Sequence, residues 1–201
     1  MFIGAHISAS DGLHHAPANA KSQGCECYQF FSRPPQGGPA PKITPADLKK
    51  FQLANQKFGF KNFYLHAPYF INLASSNNRI YYGSISVLRE ELERGSLLGV
   101  KYLMTHLGSA KDLGANQALK KVIAGLEKIL DGYHGSTELL IEISAGSGAI
   151  IGDTFEEIAK IIENCKLPAR RIGGKIENYP GVCFDTAHAF ESGYDLRDAK
   201  A

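Results

Sequence analysis

Short apolar runs and longer segments of helical period alternate along this chain from its first residues almost to its last, and that alternation limits the fold more than any other feature. Reading the apolar runs as strands places them at Phe2–His6, Cys27–Phe31, Asn62–His66, Tyr102–His106, Leu139–Ile143 and Val182–Asp185. The intervening segments predict helices at Leu13–Ser22, Pro45–Phe58, Arg79–Leu98, Asn116–Leu130 and Thr154–Cys165. Local chemistry agrees at two starts. Pro45 follows Thr44, a good N-cap, and Thr154-Phe155-Glu156-Glu157 has the pattern of a capping box ahead of Ile158, Ile161 and Ile162 on one face. Strand, helix, strand in steady succession is the pattern of an α/β domain with parallel strands, because parallel neighbours need a crossover that a helix supplies.

The biased stretch Pro34-Pro35-Gln36-Gly37-Gly38-Pro39-Ala40-Pro41 is a loop, since it can be neither helix nor central strand. It is short for a linker, and the alternation resumes at once, so residues 1–201 are expected to form a single domain. Six strand-helix units in 201 residues average about 34 residues each, and eight such units would approach the ~250 residues typical of a closed (β/α)₈ barrel. The expectation is therefore an incomplete barrel, the N-terminal three quarters of a longer one. Its open sheet edges and bare helix faces would make the piece alone poorly soluble.

Lys and Arg number 22 against 20 Asp and Glu, a formal net charge of +2, and no block of like charge occurs. This excludes a disordered polyelectrolyte and a basic tail. No run approaches a membrane span, and no signal-like opening is present, so a cytoplasmic protein is expected. Cys25, Cys27, Cys165 and Cys183 lack zinc-finger spacing and read as free thiols in a reducing compartment.

The chemistry lies at the strand ends. His6, His66, His106, Glu142 and Asp185 each close a predicted strand, and His188 follows three residues after the last of them. In a parallel arrangement all carboxyl ends share one rim, where such barrels place their active sites. An imidazole or carboxylate ending a segment as apolar as Phe63-Tyr64-Leu65 or Leu139-Leu140-Ile141 is costly to bury unless paired or metal-bound. Together they form a mixed nitrogen and oxygen donor set of the kind Zn²⁺, Mn²⁺ or Fe²⁺ accepts. His14, His15 and His134 fall in helix or loop positions and read as solvated surface.

Four local sequences carry a resemblance. Ile3-Gly4-Ala5-His6-Ile7-Ser8, Leu65-His66-Ala67-Pro68-Tyr69, Glu142-Ile143-Ser144-Ala145-Gly146-Ser147-Gly148 and, above all, Asp185-Thr186-Ala187-His188-Ala189-Phe190-Glu191-Ser192-Gly193-Tyr194-Asp195 resemble the endonuclease IV family of apurinic/apyrimidinic endonucleases. The resemblance implies a TIM barrel of the xylose isomerase-like type holding three zinc ions, which cuts duplex DNA on the 5′ side of abasic sites and leaves a 3′-hydroxyl. Carried over, it implies His66 and His106 as ligands of one zinc, Glu142 as the carboxylate shared with a second, Asp185 on the second and His188 on the third. Glu142 is then also the catalytic carboxylate; His6 matches the family opening without being one of its usual ligands, and reads either as a residue that supports the ligands from behind or as a purely structural one. About five of the nine usual ligands lie within residues 1–201, and the rest would lie beyond Ala201. Two departures are visible: the loop after Glu142 usually reads Asn-Thr-Ala-Gly-Gln-Gly, and Ala187 stands where the family has Cys.

On the DNA side, Tyr69 and Phe70 follow His66 on the rim and resemble the family's aromatic wedge, which would replace stacking lost at a flipped nucleotide. Arg33 is a further candidate for a phosphate or gap contact. The expected partner is duplex DNA with an abasic site, bound by a monomer without membrane attachment. A pI of about 8.3 is short of the >9 of strongly basic DNA-binding domains, so these contacts must be local. The alternatives are a metal-dependent sugar isomerase or epimerase on the same barrel, and a catalytically dead DNA-binding remnant. An isomerase would need an enclosed pocket with a lysine or paired carboxylates for proton transfer, whereas a nuclease needs an open groove.

Overall fold

All six apolar runs form strands in the computed structural model, which describes residues 1–166, 170–172, 175–177 and 180–198. In chain order the elements are β1 (Gly4–His6), α1 (Ala16–Ser22), β2 (Cys27–Phe30), α2 (Pro45–Phe58), β3 (Phe63–His66), α3 (Asn78–Leu98), β4 (Tyr102–Thr105), α4 (Ala115–Leu130), β5 (Glu138–Glu142), α5 (Phe155–Asn164), β6 (Arg170–Ile172), β7 (Lys175–Glu177), β8 (Gly181–Cys183) and α6 (Thr186–Glu191). Six of the strands hydrogen-bond in the order β1-β2-β3-β4-β5-β8. The pairings run parallel, with Ala5 opposite Tyr28, Gln29 opposite Tyr64, His66 opposite Met104 and Glu142 opposite Cys183. This is the strand-helix succession of a (β/α)₈ barrel over six of its units.

Three features differ from the sequence reading. Leu13–His15 is a 3₁₀ turn ahead of α1, where Pro17 near the helix start keeps the α-helix from beginning earlier. A short antiparallel pair, β6 and β7, lies between α5 and β8, in a stretch with no clear period. The last parallel strand ends at Cys183, so Asp185 is not a strand residue but the N-cap of α6.

Helix starts follow capping chemistry. Thr44 Oγ1 accepts from the Asp47 N–H at 3.2 Å while the Asp47 carboxylate accepts from the Thr44 N–H at 3.0 Å, a complete capping box one residue before Pro45. At α5 only half of the expected box forms. Thr154 Oγ1 accepts from the Glu157 N–H at 3.2 Å, but the Glu157 carboxylate turns to the Gly152 N–H at 2.6 Å and ties down the preceding loop.

The chain divides into two compact units. The first comprises Met1–Tyr69, Glu90–Met104 and Gly135–Glu138. Its core holds Tyr28, Phe30, Phe51, Phe60, Leu65, Leu92, Leu98 and Leu103. The Tyr28 ring meets Phe60 edge-on with centroids 5.0 Å apart, and Phe51 meets Phe63 edge-on at 5.5 Å. The one polar atom Tyr28 brings inside is satisfied, since its hydroxyl donates to Asn55 Oδ1 at 2.7 Å. The second unit comprises Phe70–Arg89, Thr105–His134 and Leu139–Ala201. Its core is built from Leu73, Leu88, Leu107, Leu139, Ile141 and Ile158, with Ala118, Val122, Gly125, Leu126 and Ile129 forming the buried stripe of α4. Among the described residues no helix is long and apolar enough to cross a membrane.

Gly4 sits where β1 approaches β2 most closely. A Cβ there would meet the Cys27 carbonyl oxygen at 1.8 Å, and a backbone atom in a sheet cannot step aside. Gly4→Ala is expected to cost about 2–3 kcal/mol, the upper part of the overpacking range, as a lowered urea midpoint with unchanged m-value.

Candidate metal centre

In the second unit the rim residues converge. Glu142 is the last residue of β5 and only 5% exposed. Asp185 caps α6, accepting the His188 N–H at 2.9 Å, and this bond sets the first turn that carries the His188 ring back toward β5. His188 Nδ1 lies 3.5 Å from Glu142 Oε1 and 3.6 Å from Asp185 Oδ2. One donor atom from each of Glu142, Asp185 and His188 lies within 4.8 Å of the others. His106, one residue beyond β4, brings Nε2 to 3.8 Å from Glu142 Oε1, and its ring crosses that of His188 with centroids 5.0 Å apart.

Two main-chain and loop contacts orient these rings, and sequence reading could not have found either. His188 Nδ1 lies 3.0 Å from the Ile143 carbonyl, which can only accept, so a neutral ring in this contact carries its proton on Nδ1 and its lone pair on Nε2. His106 Nδ1 lies 3.1 Å from Ser144 Oγ. The Ser144 loop is itself held, because Ser144 N–H donates to the Gly152 carbonyl at 2.8 Å and Ser192 Oγ donates to the Ser144 carbonyl at 2.8 Å. Gly146 passes so close to Ser192 that a Cβ would stand 2.9 Å from its Cα. The Gly146 position in the loop after Glu142 thus has a steric reason.

The electrostatics point the same way as the geometry. Cys183, on β8 beside these carboxylates, has its thiol pushed up to about 12, first by burial and then by the negative charges of Glu142 and Asp185. Two carboxylates held around one imidazole make a negative pocket, and a cation is the ordinary means of balancing it. An imidazole and two carboxylates whose donor atoms lie within 4.8 Å of one another, with a second imidazole adjoining Glu142, are a donor set of the type a divalent zinc-like ion accepts.

The remaining rim residues belong to the first unit, except Phe70. His66 ends β3, buried, with Nδ1 2.6 Å from the Ala67 carbonyl, which places the neutral ring's lone pair on Nε2. His6 is exposed, and its Nδ1 lies 2.8 Å from Gln29 Oε1. Phe31, which the sequence reading treated as the end of a strand, is the hub between them: its ring centroid is 4.4 Å from His6, 5.5 Å from His66 and 5.2 Å from Tyr69. Tyr69 is 65% exposed and Phe70 38%, large aromatic surfaces left open on a rim. Arg33 differs from its expected place. It is buried, with its guanidinium 2.7 Å from Glu91 and 2.6 Å from Glu90, so its charge is balanced inside the protein rather than presented to a phosphate. Of the histidines read as surface, His134 and His15 are exposed and His14 is partly covered, 4.0 Å from His15 between centroids.

Residues 17–201 match the family described as xylose isomerase-like TIM barrel. Among similar proteins, "Probable endonuclease 4" of Methanoculleus marisnigri is 33% identical over 201 residues, covering 100% of this chain and 68% of its own length. "Probable endonuclease 4" of Thermoplasma acidophilum is 36% identical over 197 residues, covering 98% of this chain and 64% of its own length. The crystal structure of endonuclease IV from Thermus thermophilus superposes with a TM-score of 0.78 at 28% identity, over 96% of this chain and 66% of that one. The chain belongs to the xylose isomerase-like TIM barrels and, among them, to the endonuclease IV family. It spans about two thirds of the length of the relatives it matches.

Titration of metal-free protein with Co²⁺ at neutral pH, followed by visible absorption, is expected to show saturable binding. Asp185→Asn and His188→Ala should each weaken it by about tenfold or more. Absence of any saturable uptake would contradict the fit of these donors to a metal.

Proposed function

We propose that this chain carries the zinc-dependent cutting centre of a DNA repair endonuclease, which hydrolyses the phosphodiester 5′ to an abasic site in duplex DNA and leaves a 3′-hydroxyl. The single observation that supports this most is the convergence of Glu142, Asp185 and His188, with donor atoms within 4.8 Å of one another, on a chain of the endonuclease IV family. His66, His106, Glu142, Asp185 and His188 would hold the zinc ions, three in the complete site. Bound zinc supplies hydroxide at neutral pH and neutralises charge developing on the phosphoryl oxygens.

The chain's own residues do the positioning. Glu142, buried at the end of β5, would hold zinc through its carboxylate, and its low exposure keeps that charge in a poorly screened setting where it acts most strongly on its neighbours. The Asp185 cap and the Ile143 carbonyl hold the His188 ring in one orientation, with Nε2 as the donor nitrogen. On the DNA side the exposed rings of Tyr69 and Phe70 would insert at the damaged step, where the missing base has already removed part of the stacking that insertion disrupts. His6, at the mouth of β1, would act through Gln29 and the aromatic hub rather than as a ligand. Arg33, buried in its ion pairs with Glu90 and Glu91, would take no part in these DNA contacts. The reading includes action as a monomer in the cytoplasm, in keeping with four cysteines that are all free thiols.

Incubating the protein with Zn²⁺ and a duplex carrying one tetrahydrofuran abasic analogue is expected to give incision 5′ to the analogue, with a product that a polymerase can extend. Glu142→Gln should keep the fold and duplex binding but lose at least about 10²-fold in kcat, and undiminished cleavage by that variant would remove Glu142 from the mechanism. In a binding titration, Tyr69→Ala should lower the preference for abasic over intact duplex by about 1–2 kcal/mol, the worth of one aromatic stack; an unchanged preference would rule out the wedge.

A further inference from the structure

The loop at residues 34–41 has no assigned role, yet the first unit holds it by an unusual device. Arg94, on the C-terminal half of α3, reaches both stems at once. Its Nη2 donates to the Ser32 carbonyl at 2.6 Å and its Nε to Ser32 Oγ at 2.7 Å, while Nη1 donates to the Pro41 carbonyl at 2.8 Å. One planar guanidinium fork therefore closes an eight-residue loop across its mouth, which a lysine could not do. Glu91, one turn earlier and 0% exposed, completes the cluster: it accepts from Ser32 Oγ at 2.7 Å and from Arg33 Nε at 2.7 Å, and lies 3.5 Å from Arg94 Nε. Glu90 pairs with the outer edge of Arg33, so two guanidinium groups are balanced by two carboxylates.

A buried ion cluster of this kind contributes little as simple stabilisation, since apolar side chains of the same volume would do as well or better. What it supplies is a defined geometry. Gly37 and Gly38 take φ of 131° and 103°, a backbone open to many conformations, and four prolines leave the loop few amide donors, of which the Gly37 N–H closes a turn on the Pro34 carbonyl at 3.3 Å. The loop then reaches the rim directly, because the Tyr69 N–H donates to the Pro35 carbonyl at 3.0 Å. It also walls a cavity of about 960 Å³ together with His6, Ser8, Phe31 and Tyr69.

We propose that Glu91 and Arg94 are positioning residues for DNA recognition: they lock the 34–41 loop as a preformed wall and, through Pro35, fix the backbone of the rim residue Tyr69. This rests on the reading of Tyr69 as a wedge. The energetic role is preorganisation, in that the wall is ordered before the duplex arrives and its ordering is not a cost of binding.

Three variants test it: Glu91→Gln, Arg94→Lys, and Ser32→Ala, which removes one shared hydroxyl and leaves every buried charge paired. Hydrogen exchange by NMR is expected to show at least about tenfold loss of protection at Tyr69 and at the loop amides Gln36, Gly37, Gly38 and Ala40, with helix and strand amides unchanged in Ser32→Ala. For the abasic duplex, KM should rise about five- to tenfold with kcat within about twofold, the signature of lost binding geometry rather than lost chemistry. Full Tyr69 protection in both Ser32→Ala and Arg94→Lys would overturn the proposal, as would a fall in kcat at unchanged KM. If the wild-type protein neither binds nor cuts an abasic duplex, it is the preceding functional reading that fails, and the Tyr69 and loop amides still decide whether the clamp exists.

Discussion

Parallel strands that hydrogen-bond in one direction have all their carboxyl ends on one side, and their middles are covered on both faces. Everything chemical in this protein follows from that constraint. At Leu139, Ile141 or Leu65 a polar side chain would have to be buried without water. At Glu142 and His66, one residue further along, the strand runs out and a polar side chain can find a partner. Each strand thus delivers at most one or two reactive groups at its carboxyl end, and in the second unit Glu142 meets Asp185 and His188 there.

What happens next to those groups is electrostatic. Glu142 and Asp185 face the same imidazole, and their negative potential reaches far enough to help raise the Cys183 thiol. A cation bound between them would balance that charge. At Arg33 and Arg94 the opposite solution is used, because two guanidinium groups and two carboxylates balance one another internally and leave nothing for an external ion. The first arrangement suits a site for binding and chemistry, and the second suits a scaffold that fixes a loop. Each is built around a buried glutamate, Glu142 at 5% and Glu91 at 0% exposure; the first faces imidazoles and a second carboxylate, and the second faces two guanidinium groups.

The chain belongs to the xylose isomerase-like TIM barrels, and the first four strands show how the rim of the first unit is supported. Phe31 packs against His6, His66 and Tyr69, so the rings that face the rim share one apolar neighbour. Arg94 and Glu91 hold the adjoining loop from behind, and the loop holds Tyr69 through a main-chain bond. A residue far from the rim in sequence can therefore govern the residue most exposed on it.

The strand-helix alternation, the strand-end histidines and carboxylates, and the block from Asp185 to Asp195 were legible because they rest on local properties: period, apolarity and spacing along the chain. The helix from Pro45 to Phe58 was readable to the residue, since Thr44, Pro45 and Asp47 carry their own start signal. Asp185 was read as a strand end and is instead a helix cap, a difference that depends on where the Gly181–Cys183 pairing with β5 stops. Arg33 looked like a solvent-facing cation because its partners, Glu90 and Glu91, lie nearly sixty residues away in sequence. The orientation of His188 by the Ile143 carbonyl, and of His106 by Ser144, were equally hidden, since a main-chain acceptor has no signature and the serine is 38 residues distant from its histidine. By itself the sequence determined which groups arrive at the rim, because that depends on each strand's own length and polarity. Only the tertiary structure decided which partner each of them meets, imidazole, carboxylate or guanidinium, because that depends on distances between segments that local chemistry does not control.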